Sequence, residues 1–127
     1  MNDVKGEPHE ATNTPGPPVI DLHFLFYPKG DEWYAECLDL DLLTARSDLA
    51  PAFRELLVQV EMYLRTAAES GRWPDYVPRN APARDWIAYY RATVRQELHR
   101  WFAGGRSLPT PRTGHFLFDA FGHPVGA

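Results

Sequence analysis

The stretch DEWYAECLDLDLLTARSDLAPAFRELLVQVEMYL, residues 31–64, changes its hydrophobic period once, and that change decides the fold class. From Glu32 to Leu38 the side chains alternate, Trp33, Ala35 and Cys37 against Tyr34, Glu36 and Leu38, which is the period of two of a pleated strand. From Leu49 the spacing lengthens. Leu49, Phe53, Leu56, Leu57, Val60, Leu64 and Ala67 fall on one side of a helix with 3.6 residues per turn. Ser47 or Asp48 stands where a helix cap is wanted, Pro51 lies in the first turn, and Gly71 is the natural stop. Each large apolar side chain of that stripe contributes about 1.5–3 kcal/mol when buried, so the helix is expected to hold the core together.

Working outward, residues 19–27 place Ile20, Leu22, Phe24 and Phe26 on one face and Asp21, His23, Leu25 and Tyr27 on the other. They form an expected first strand, joined to the second by the turn Pro28-Lys29-Gly30-Asp31. A third strand is expected from about Leu40 to Ala45, and a brief fourth around Tyr76-Val77. From Asn80 to about Phe102 a second long helix is expected, with Pro82 near its first turn. Its apolar stripe is Ile87, Tyr90, Val94, Leu98 and Trp101, with Arg84, Arg91 and Arg95 on another face. A short strand from His115 to Asp119 closes the pattern. The expected fold is therefore α+β: a small antiparallel sheet of three or four strands with one packed helix, plus an extra carboxy-terminal helix. Residues 1–18, rich in Pro, Asn, Thr and Glu, are expected to be a disordered tail; 19–78 form the α/β domain and 79–127 a helix and Pro/Gly-rich extension.

The 127 residues carry a net charge of −4, divided unevenly. Up to Gly71 there are five basic residues against thirteen acidic ones; beyond it there are eight arginines against four acids. An acidic body is a poor ligand for duplex nucleic acid, whose affinity comes from neutralised phosphates, and it suits a basic protein partner better. One cysteine, Cys37, excludes an internal disulfide framework. No apolar run reaches the ~18 residues of a membrane span, and the amino terminus lacks the apolar core of a signal peptide, so a cytoplasmic protein without membrane contact is expected.

Trp33-Tyr34-Ala35-Glu36 in the second strand, Ser47-Asp48 at the cap, and Ala52, Phe53, Leu56 and Leu57 in the helix together resemble the amino-terminal domain of HicB-like antitoxins. The resemblance covers about residues 19–68. It implies a reduced ribonuclease-H-like domain with no catalysis, which binds and blocks a small basic messenger-RNA-cleaving toxin. Many members also carry a helix-turn-helix or ribbon-helix-helix module; neither is legible in the carboxy-terminal third of this chain.

The sheet face turned away from the first helix mixes acids, rings and aliphatic side chains, the composition of a docking surface. Asp21, His23, Tyr34, Glu36, Asp39 and Asp41 are the expected partner-binding residues. The competing account is that the second helix covers this face within the chain. Arg84, Arg91 and Arg95 share one side of that helix and offer an alternative role as a DNA-binding regulator, or a surface for self-association. A further alternative, a metal-dependent nuclease, would need Asp21, Glu36, Asp39 and Asp41 to converge around Mg²⁺. No histidine pair has metal-ligand spacing, so no metal and no cofactor are expected. A domain this small is expected to gain area by forming a homodimer or higher homo-oligomer.

Overall fold

The computed structural model describes residues 19–102 and 110–126. The expected amino-terminal tail, residues 1–18, lies outside the described residues. Four strands make one antiparallel sheet: β1 (Ile20–Lys29), β2 (Glu32–Cys37), β3 (Leu42–Arg46) and β4 (Arg112–Phe118), in the spatial order β3-β2-β1-β4. Three helices accompany it: α1 (Leu49–Ser70), α2 (Trp73–Tyr76) and α3 (Ala83–Phe102). Gly30, at φ 64°, supplies the left-handed residue of the β1–β2 turn.

Register fixes which side chains share a face. Phe24 pairs with Cys37 and Phe26 with Ala35, so the alternation of β1 and β2 points one set of apolar residues to the same side. Leu22, Phe24, Ala35, Cys37 and Phe118 of the sheet meet Ala52, Leu56, Val60 and Leu64 of α1 in the main core, joined by Leu40 from the turn before β3. The stripe expected of this helix is the one it buries. Its end is also where expected: Gly71 adopts φ 71° and closes the helix through its N–H to the Ala68 carbonyl. Asp48 occupies the cap position with extended backbone, yet its carboxylate makes no capping hydrogen bond. Arg46, bonded to Glu55 at 2.6 Å, ties β3 to the first turns of α1 instead.

Several boundaries depart from expectation, among them the start of α3, at Ala83 and not Asn80, and the end of β1, at Lys29 and not Tyr27. Leu40 and Asp41 belong to a turn, with Asp41 in the left-handed region at φ 55°, and β3 starts only at Leu42. The expected brief strand at Tyr76-Val77 is absent; a single helical turn runs to Tyr76, whose carbonyl accepts a 2.7 Å bond from the Tyr63 hydroxyl. This contact, with Trp73 and Val77 packed on the core, holds the segment beside α1 rather than at a sheet edge. The last strand starts three residues earlier than expected, at Arg112, and lies beside β1.

The second face of the sheet is covered by α3. Leu25 and Leu38 pack with Ala81, Tyr89 and Ala92, flanked by Tyr27, Trp86 and Ala88. Gln96 receives the Thr113 N–H at 2.6 Å and the Thr93 hydroxyl lies 2.8 Å from that of Thr113, so the same helix is fastened to β4. The apolar stripe read from the sequence of this helix does not make this contact. Ile87, Tyr90, Val94, Leu98 and Trp101 all point outward, between 53% and 77% exposed. The buried side uses smaller and more polar residues because it lies on a sheet face that itself carries His23, Asp21 and Glu36.

Candidate functional site

The second sheet face gathers its polar residues at the end where β1 begins and β2 finishes. The backbone N–H of His23 on β1 donates to Asp39 Oδ1 at 2.6 Å, and the His23 Nδ1 lies 3.0 Å from Asp39 Oδ2. Asp39 reaches this position because the chain turns directly after β2, with the Leu38 N–H bonded to the His23 carbonyl at 2.9 Å. On the other side of His23, Asp21 Oδ2 stands 3.8 Å from Nε2, and Asp21 Oδ1 lies 3.0 Å from His115 Nδ1. His115 is the register partner of His23 on β4, and their rings stack at 5.7 Å. A row Asp39–His23–Asp21–His115 therefore runs across the end of the sheet. Trp86 and Tyr89 of α3 close over the His23 ring, each with centroids 5.4 Å away.

Carboxylates on both sides of the His23 imidazole hold its orientation, and Asp21 presents negative charge to whatever approaches from solvent. Access falls off along the row: the His115 and Asp21 side chains are 63% and 42% exposed, those of His23 and Asp39 only 25% and 16%. Cys37 points to the opposite face, buried in the main core, where desolvation pushes its thiol well above the usual range. It is inert packing, and the histidines have no thiol beside them.

Glu36 sits apart from this row. Its side chain is buried beneath the start of α3, hydrogen-bonded to Asp85. Burial first, then the shared hydrogen bond and the charges of Asp85 and Asp41, push its pKa up to about 8, with Arg84 opposing. The Glu36 carboxyl therefore keeps its proton at neutral pH. Nearby, Tyr27 and Tyr34 stack at 5.3 Å, and burial followed by the charges of Glu36 and Asp85 raises the Tyr27 phenol.

The six expected partner-binding residues thus separate into three environments. Asp21, His23 and Asp39 are brought together. Glu36 and Tyr34 are covered or half-covered within the chain, and Asp41 stands exposed at the turn. Arg84, Arg91 and Arg95 are exposed on α3, with Arg84 4.0 Å from Asp85. Among the described residues no group of three or more His, Cys, Asp or Glu side chains is disposed to hold a metal ion, and no helix is long and apolar enough to cross a membrane. Sequence reasoning missed His115, Asp85, Trp86 and Tyr89 as members of this face. The only sequence signal for His115 was its place on the last strand, which acquires meaning once that strand is paired with β1.

Elsewhere, Arg112 lays its guanidinium over the Trp33 ring at 5.7 Å, with a buried Nε that has no partner among the described residues. It borders a groove of about 490 Å³ walled by Phe26, Phe53 and Phe116. No family model, curated protein or solved structure matches this chain.

Proposed function

We propose that the chain is a non-catalytic protein-binding domain of the antitoxin type, built on a HicB-like, reduced ribonuclease-H-like plan, that receives a small basic protein at the acidic end of its sheet. The observation that carries this reading is the gathering of Asp21 and Asp39, interleaved with His23 and His115, at that end, with Asp41 exposed on the neighbouring turn. Carboxylates placed along one rim of an acidic domain give a basic partner steering and register. The imidazoles beside them are oriented by these carboxylates, and among the described residues neither is hydrogen-bonded to a hydroxyl or thiol, which favours binding over turnover.

Affinity capture of the full chain from its own host tests this, run in parallel with Asp21→Lys/Asp41→Lys. Both positions are exposed, so the double variant keeps the core. Recovery of one small basic protein in fixed stoichiometry, lost with the double variant, is the expected result. Equal recovery by both forms, or no such protein, overturns the reading. A second reading, a DNA-binding regulator, is favoured by the exposure of Arg84, Arg91 and Arg95 on one helix. It requires duplex binding that weakens steeply with salt and with loss of these arginines.

A further inference from the structure

The outward side of α3 carries Ile87, Tyr90, Val94, Leu98 and Trp101 in an unbroken row, all more than half exposed. Side chains of this size at these exposures present roughly 600 Å² of apolar surface, at the upper limit for a monomer. With the stems of the neighbouring arginines the row approaches the ~800 Å² per partner of a standard protein interface. The spacing is specific as well. Ile87, Tyr90, Val94, Leu98 and Trp101 advance by three, four, four and three residues, so the row stays on one side of the helix along its whole length. A shallow groove of about 410 Å³ between Ile87, Tyr90, Arg91, Val94 and Arg95 offers a hole for an opposing side chain.

We infer that this face is the seam of a parallel two-fold dimer, its occupant being α3 of a second copy of the chain. Charge chooses both the occupant and the direction. One flank of the seam bears Arg91 and Arg95, the other Tyr90 and Glu97. Antiparallel pairing brings like flanks together and sets arginine rows against each other. Parallel pairing places the arginine flank of each copy on the Tyr90–Glu97 flank of the other, so that Arg91 meets the Tyr90 ring and Arg95 meets Glu97, which its own helix already pairs with Arg100, twice by symmetry. The sheets then stand on opposite sides of the helix pair, because α3 uses its other side, Tyr89 and Ala92, to hold its own sheet. This inference is independent of the antitoxin-type reading.

Sedimentation equilibrium of the full chain over a range around 10 μM is the test, and a dimer is expected. Val94→Glu is expected to raise the dissociation constant roughly 100-fold, by removing an apolar contact and adding like charges at the two-fold. Arg95→Glu and Glu97→Arg are each expected to weaken the dimer about tenfold, and the double variant to restore it, since the reversed charges again face each other. Leu98→Cys fixes the direction whether or not Val94→Glu folds: parallel pairing juxtaposes the two introduced thiols, and oxidation yields a covalent dimer. A monomeric wild-type chain, whatever else covers the face, overturns the inference. So does a dimer indifferent to Val94→Glu, a double variant no better than the singles, or a Leu98→Cys dimer that fails to cross-link.

Discussion

Glu36 carries a stability cost that depends on pH. Its carboxyl holds a proton up to about pH 8 in the folded chain, against 4.5 for a free glutamate, so between these values the folded state binds more protons than the unfolded one. Stability from this group is therefore highest below about 4.5, falls as pH rises through the window, and levels off above about 8. Glu36→Gln keeps the shape and a hydrogen-bonding head without the ionisation. It is expected to raise stability at pH 8–9 by about 1–3 kcal/mol and to flatten the decline, as read from urea midpoints across pH. Asp39 acts in the opposite sense. Its carboxylate satisfies the His23 N–H, and Asp39→Ala leaves that donor half-buried and unpaired, at an expected cost of about 1–3 kcal/mol in the same assay.

Among the elements, α1 was legible in the sequence and α3 was half-legible, for one physical reason. Leu56, Val60 and Leu64 repeat every four residues and bury against a largely apolar sheet face, where the buried Thr44 hydroxyl donates to the Ala52 carbonyl, so size and burial coincide. Leu56→Ala is expected to cost about 2–5 kcal/mol, measured by thermal or chemical unfolding. The sheet face under α3 is mixed, and the helix meets it with Tyr89, Ala92, Thr93 and Gln96 while its larger apolar residues face out. Periodicity marks the most hydrophobic side of a helix, and here that is not the side that packs on the sheet. The candidate site divides similarly. Asp21, His23 and Asp39 were legible as members of one sheet face, whereas their gathering at its end and the pairing of Asp21 with His115, 94 residues along the chain, required the register. A close approach at the end of the described chain offers another element-scale check. Gly122 adopts φ 86°, and a Cβ there would lie 2.4 Å from the Glu61 Cα on α1. Gly122→Ala is expected to push the turn after β4 off α1, lowering the melting temperature and breaking the Glu61–His123 contact, which NMR of the His123 ring would report.

At the scale of the whole molecule, both edges of β1 are paired and both of its faces are covered, by α1 on one side and α3 on the other. Its amides from Leu22 to Phe26 are expected to exchange with solvent most slowly, opening only with global unfolding, while those of β3, at the sheet edge, exchange through smaller openings. Native-state hydrogen exchange checks this directly; faster exchange in β1 than in β3 would contradict the packing described. The carboxy-terminal third thus supplies one strand and one covering layer, and is no detachable appendage.

That placement of β4 beside β1 also sets an order of events on the ribosome. The β1–β2–β3 meander and α1 are complete in sequence well before α3 and β4 have been made. At about 5–20 residues per second, the roughly ninety residues between the paired positions of β1 and β4 take on the order of 5–20 s to synthesise. For the second half of that interval, once the meander and α1 have been made, the nascent chain holds a central strand with one edge open and one face bare. Its greatest exposure to strand-to-strand association, and its greatest need of a chaperone, therefore falls during translation and ends when its last strand arrives.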